Sequence, residues 1–263
     1  MYLGEGTLPF GKYEDTSEWQ PITKSLEAGA ERFPEKTMFR VGNPEGDITE
    51  SYTYKETNDW ANRVANGLKD EFGVKKGDKV GMYMLNCSEY VISIIAIHKT
   101  GAVQVPINKD EKGERLAYVI NYSEMKALVM DPGSVPFIEE IAKDLKGLEV
   151  IFMTGDPAKV PAEIGGIKTL PFSSFDKFSS DNTGVEVTTQ DMERCMFTSG
   201  TTGMPKGVAR NHGGVVLTVR SYLQQQGIRS GDVLMSILSL GHANAQVMCL
   251  FSAMGAGATA VFF

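Results

Sequence analysis

From Thr53 to Met153 the chain alternates helix-length amphipathic runs with short apolar ones, and this rhythm restricts the fold more than any other feature. Thr53-x-x-Glu56 is a capping-box start, and Trp60, Val64, Leu68 and Phe72 follow at a spacing of four, which predicts a helix ending near Gly73. Lys76-Gly77-Asp78 reads as a turn and residues 80–85 as an apolar strand. Asn86-x-x-Glu89 is expected to cap a second helix through Val91, Ile94, Ile95 and Lys99, stopped by Gly101. Strands at 103–106, 127–130 and 150–153 then alternate with helices at 114–121 and 135–145. Strands separated by helices of about ten residues predict an α/β fold with a largely parallel sheet and helices on both faces.

In such sheets, ligands bind beyond the carboxyl ends of the strands. One such end is expected after Phe197, where the chain runs Thr198-Ser199-Gly200-Thr201-Thr202-Gly203-Met204-Pro205-Lys206-Gly207-Val208. Glycines let backbone N–H groups turn toward an anion, hydroxyls add donors, and a lysine adds a mobile positive charge. This composition points to a polyphosphate. The run is not a Walker A loop, which needs glycine before its lysine and Ser or Thr after it; Pro205 and Gly207 stand there instead.

Composition excludes several classes. Lys+Arg 26 against Asp+Glu 33 leaves a net charge of −7, which argues against a nucleic-acid surface and for small-molecule chemistry. Cys87, Cys195 and Cys249 are far apart and show neither metal spacing nor a disulfide framework, so a cytoplasmic location is expected. Residues 1–12 lack the basic start and apolar core of a secretion signal. Residues 247–263 carry no charge, but Gly255 and Gly257 divide them into a buried helix end and a buried strand, each too short to span a bilayer. Met82 and Met84 share one face of the 80–85 strand and read as core. Between Asp156 and Asp191 the pattern weakens into a surface-rich connection, with order expected only at 168–170 and 172–178.

The 198–208 run resembles the phosphate-loop signature of the adenylate-forming (AMP-binding) enzymes, the superfamily of acyl-CoA synthetases, peptide-synthetase adenylation domains and beetle luciferases. Tyr52-Thr53-Tyr54, the 73–80 stretch and the 101–108 stretch resemble further segments of that superfamily, in its order. The resemblance runs from about Trp19 to Phe263. It implies the N-terminal portion of the family's large domain, built as parallel-sheet layers with flanking helices. One layer is expected from residues 75–225, with the loop at its carboxyl edge, and a second from 20–70 plus 231–263. Family members are far longer. Their adenine and magnesium motif, ribose-binding aspartate and adenylation lysine have no counterpart here, so half an active site, inactive alone, is expected.

The resemblance also implies roles. Lys206 would contact the ATP phosphates and offset the charge that accumulates as pyrophosphate leaves. Thr198, Ser199, Thr201 and Thr202 would donate hydroxyls, while Gly200, Gly203 and Gly207 shape the loop. His242 would open the helix that lines the acyl and adenylate pocket, although Ser239 and Gly241 replace the family's proline and aromatic residue there. Only one of Asn244 and Gln246 is expected to reach that pocket. His212 reads as structural, and His98 as a surface or half-buried residue near a helix end. The implied reaction activates a carboxylic acid with ATP to an acyl-adenylate and passes the acyl group to CoA, with Mg2+ held outside this chain. The 242–246 stretch looks most like ligases of short or medium acids, carnitine-type acids included. Two alternatives stay open: a non-catalytic binding or assembly half, and an adenylation domain of another branch. The uncharged segment 258–263 is expected to be an open β edge that self-associates or pairs with a C-terminal half.

Overall fold

Thr53 begins the first long helix as its spacing predicts: its hydroxyl accepts from Glu56 N at 3.1 Å while its own N–H donates to Glu56 Oε2 at 2.8 Å. A computed structural model describes residues 18–198 and 203–263. Helix α1 (Thr23–Arg32) leads to the antiparallel pair β1 (Thr37–Gly42) and β2 (Ile48–Thr53), and α2 (Tyr54–Asp70) follows. Next come β3 (Lys79–Tyr83), α3 (Ser88–Lys99), β4 (Val103–Pro106), α4 (Gly113–Ser123), β5 (Met125–Met130), α5 (Val135–Ile141) and β6 (Val150–Met153). After β7 (Glu163–Ile164) and β8 (Ile167–Pro171), a hairpin joins β9 (Met192–Thr198) to β10 (Lys206–Asn211). Helix α6 (His212–Gln226), β11 (Val233–Ser236), a π-helical segment (Ala245–Phe251), α7 (Ser252–Ala256) and β12 (Thr259–Phe262) complete the described chain.

The strands form two sheets. Eight lie in the order β10-β9-β4-β3-β5-β6-β8-β7, parallel from β9 to β8 with antiparallel strands at both edges. Four lie in the order β11-β12-β1-β2, of which only β2 runs antiparallel. One hydrophobic cluster takes side chains from both sheets and from α2, α3, α6 and α7, and both Trp60 and Phe251 belong to it. A second lies under α4 and α5 on the eight-stranded sheet. The first cluster takes in α3 from Tyr90 to Ile97, and eleven of the helix's twelve residues are buried, which is why its apolar residues are not confined to one face.

Three expectations change. Asn86 does not cap α3; Cys87 holds that position without a side-chain bond. The Asn86 amide is drawn away by three backbone groups distant in sequence. It donates to Leu238 O at 3.1 Å and Phe263 O at 2.9 Å, and accepts from Leu240 N at 2.7 Å. The segment 258–263 is not an open edge, because β12 lies inside its sheet between β11 and β1. The edges of this sheet are β11 and β2; on β11 Val233 and Met235 are 59% and 66% exposed, and Ile237 just beyond it is 76% exposed. The 179–183 stretch is a strap fastened to α2, with Asn62, Asn66 and Lys69 donating to the carbonyls of Ser180, Ser179, Asp181 and Thr183. Asn62 and Asn66 are four residues apart on one helix face, so they grip successive turns of the strap.

Candidate functional site

Strand β9 runs parallel to β4, so its end at Thr198 points the same way as the carboxyl ends of the neighbouring parallel strands. Across the hairpin Thr198 is paired with Lys206, and Phe197 with Gly207. The Thr198 hydroxyl donates to Lys206 O at 3.5 Å. Thr198, Gly203 and Lys206 are all exposed, and Pro205 beside the lysine is buried. A Cβ on Gly203 would meet nothing within 4 Å, whereas one on Gly207 would lie 3.0 Å from Cys195 Sγ. A side chain at Gly207 would therefore crowd the Cys195 thiol on β9. Ser199, Gly200, Thr201 and Thr202 lie outside the described residues.

His242 belongs to a separate segment. It is exposed, its Nδ1 accepts from Asn244 N at 3.2 Å, and its own N–H donates to Ser239 O at 2.8 Å. An Nδ1 that accepts a hydrogen bond leaves the proton of the neutral ring on Nε2. Beside this segment is a cavity of about 620 Å3 between β11, the end of α6 and the π-helical segment, lined by Tyr222, Met235, Asn244, Met248 and Cys249 among others. Asn244 lines it; Gln246 faces the other way and is fully buried.

Gln246 enters a polar cluster that the sequence reading missed. His98, Gln104, Glu193, His212 and Gln246 are all 0% exposed, and Arg194 3%. Gln104 and Gln246 exchange two amide hydrogen bonds, at 3.0 and 3.1 Å. Gln104 Nε2 also donates to Glu193 Oε1 at 2.6 Å, and His98 Nε2 lies 3.1 Å from the same oxygen. Arg194 Nη1 donates to Gln246 Oε1 at 3.3 Å, and Gln246 Nε2 to Leu240 O at 2.7 Å. Burial alone would raise the Glu193 carboxyl; the His98 hydrogen bond and the charges of His98 and Arg194 outweigh it and hold the group below the usual glutamate range. Burial and the charge of His98 push His212 down to about 3, so its ring is neutral, and neither ring nitrogen has a hydrogen-bond partner. His98, in the last turn of α3, is therefore not a surface or half-buried residue but a fully buried one whose Nε2 faces the Glu193 carboxyl. The signal in the sequence is a glutamine between Val103 and Val105 in a strand buried at all four positions.

Among the described residues no helix is long and apolar enough to cross a membrane, and no three His, Cys, Asp or Glu side chains gather as a metal site. The three cysteines are free thiols.

A family model described as AMP-binding enzyme matches residues 26–263. The crotonobetaine/carnitine–CoA ligase of Salmonella paratyphi A is 30% identical over 238 residues, covering 88% of this chain and 44% of that relative. The anthranilate–CoA ligase solved in complex with anthranoyl-AMP superposes with a TM-score of 0.83 at 27% identity, over 92% of this chain and 45% of its own. A long-chain-fatty-acid–CoA ligase from Archaeoglobus fulgidus superposes with a TM-score of 0.80 at 25% identity, over 99% of this chain and 49% of its own. The chain thus spans about half the length of the curated relatives it matches.

Proposed function

The chain belongs to the AMP-binding enzyme family, and we propose that it supplies the ATP-phosphate half of an acid–CoA ligase that forms AMP. In this reading a carboxylic acid attacks the α-phosphorus of ATP, pyrophosphate leaves, and the acyl-adenylate passes its acyl group to the sulfur of CoA. The observation that carries it is the hairpin end: a glycine- and hydroxyl-rich run closing β9 onto β10, with the exposed Lys206 opposite Thr198. Thr198, Ser199, Thr201 and Thr202 donate to phosphate oxygens, Gly200 and Gly203 let backbone and phosphate approach, and Lys206 answers the charge on the leaving pyrophosphate. His242 opens the acid side of the site, and the cavity beside Asn244 receives the acid. The 242–246 stretch supports a short or medium acid of the kind named for the curated relatives.

Magnesium accompanies ATP in this reading, with its ligand expected outside this chain. Free thiols and the absence of paired cysteine spacing support a reducing, cytoplasmic setting. The adenine, ribose and assisting-lysine contacts belong to the length of the relatives that this chain does not match, so the 263-residue chain alone is expected to bind phosphate without completing adenylation. Calorimetric titration of the chain with ATP and with pyrophosphate tests the proposal. Both should bind, and Lys206→Ala should weaken both. Binding that ignores Lys206→Ala would remove the lysine from the site, and no binding of either ligand would defeat the phosphate assignment.

A further inference from the structure

The π-helical segment has two working faces. Asn244 and Met248, four residues apart, line the cavity, and Gln246 between them points the opposite way into the buried cluster. That cluster is the base of the hairpin: Glu193 and Arg194 are the second and third residues of β9, whose far end carries the phosphate-type loop. His212, at the first position of α6, follows directly from β10. The two regions assigned above to acid and phosphate therefore meet, through side chains, at one buried point.

The bonding at that point leaves little freedom. Gln104 Nε2 lies 2.6 Å from Glu193 Oε1, 3.0 Å from Gln246 Oε1 and 3.0 Å from His98 Nε2, so its two N–H groups are fully engaged within the cluster, and its oxygen accepts from Gln246. Both Gln246 N–H groups are also used, one on Gln104 and one on Leu240 O, two residues before His242. Each amide is thus held in one orientation, in surroundings where no solvent competes for the bonds. A polar network of this kind is directional, unlike apolar packing, and fixes how far β9 stands from the 240–246 segment. A separate anchor, Asn86, holds Leu238 and Leu240 from the β3–α3 turn without touching β9.

We propose that Gln246, with Gln104 and Glu193, is the positioning element that keeps the His242-bearing segment in register with the phosphate hairpin. The proposal rests on the functional reading above for what is being aligned. Gln246 contacts no substrate in it. Its role is to transmit placement from one half of the site to the other.

Hydrogen–deuterium exchange on the 263-residue chain tests it, with Gln246→Met as a variant of nearly the same shape and Asn86→Ala as the comparison. Gln246→Met should speed amide exchange about tenfold both in 240–246 and in β9 and β10, as loss of buried hydrogen bonds at the shared point requires. Asn86→Ala should speed exchange in 238–242 and leave the hairpin at its wild-type rate. In the wild type, ATP should slow exchange in the hairpin and in 240–246 together; in Gln246→Met the slowing should stop at the hairpin. Should Gln246→Met fail to fold by circular dichroism, Gln104→Met breaks the same link from the β4 side, and the same outcomes apply. Changes confined to 240–251, or spread evenly over the chain, or an effect of Asn86→Ala on β9 equal to that of Gln246→Met, would overturn the proposal. If ATP protects nothing in the wild type, the functional reading fails, and the ligand-free comparison of the two variants still decides whether the network couples the two segments.

Discussion

Thr198 and Lys206 stand opposite each other across the β9–β10 hairpin, with the threonine hydroxyl on the lysine carbonyl at 3.5 Å. The lysine side chain takes no part in this bond and stands exposed at the strand end. In an enzyme containing this chain, Lys206→Ala should slow adenylation by about 2–4 kcal/mol of transition-state stabilisation, the scale of one preorganised donor. Thioester formation from supplied acyl-adenylate should change much less. Single-turnover rates of the two half-reactions check this; equal losses in both would assign the lysine to the loop's structure.

The chain alone should catalyse no ATP–pyrophosphate exchange with common carboxylates, because groups that stabilise a transition state together lose far more than their share when half are missing. Exchange above background that disappears in Lys206→Ala would show that the 263 residues hold a sufficient site.

Tyr54 ties α2 to the last helix and strand. Its buried hydroxyl lies 3.0 Å from Ala253 O and 2.8 Å from Ala258 O, so its single O–H is shared between carbonyls on the two sides of the α7–β12 turn. Tyr54→Phe keeps the ring and removes that donor, which should cost about 1–3 kcal/mol. Urea unfolding should show a lower midpoint at an unchanged slope. An unchanged midpoint would mean the carbonyls find other partners.

Acid should destabilise the fold earlier than its carboxylates alone require. His212 stays neutral in the fold down to about pH 3, whereas the unfolded chain takes up that proton near the ordinary histidine value of 6.5. The unfolded state binds more protons throughout this window, so stability falls as pH drops through it. Glu193, held low in the fold, acts with the same sign below the ordinary glutamate range. From pH 7.5 to pH 5 the His212 contribution alone is about 2 kcal/mol. Thermal melts over that range should show the fall, and His212→Phe should flatten it. An identical slope in His212→Phe would trace the acid sensitivity to other groups.

Edge strand β11 should govern self-association. Val233 and Met235 present 59% and 66% of their surface along an unpaired strand edge, the arrangement that invites another strand. Met235→Lys should lower the association seen by light scattering at rising concentration, while Val261→Lys, on the interior strand β12, should disrupt folding instead. Association that is indifferent to Met235→Lys would place it elsewhere.

Much of this protein was legible locally. Thr53 and Glu56 announce α2 because a capping box closes within four residues, and the strands from β3 to β6 stand out because a parallel strand buried on both faces is largely apolar. The composition of the 198–207 run stands out for a similar reason: the phosphate role proposed for it would demand particular residues in consecutive positions. Tertiary structure decided whatever depends on partners far along the chain. Asn86 has the spacing of a cap, but Leu238, Leu240 and Phe263 arrive to claim its amide. Gln104 and Gln246 are 142 residues apart, and His98 and Glu193 are both polar residues whose burial follows only from sheet order. That β11 forms an edge and the apolar end of the chain does not follows from sheet pairing as well. A sequence states the preference of each residue for its neighbours; competition among hydrogen-bond partners brought together by folding selects which preferences are met.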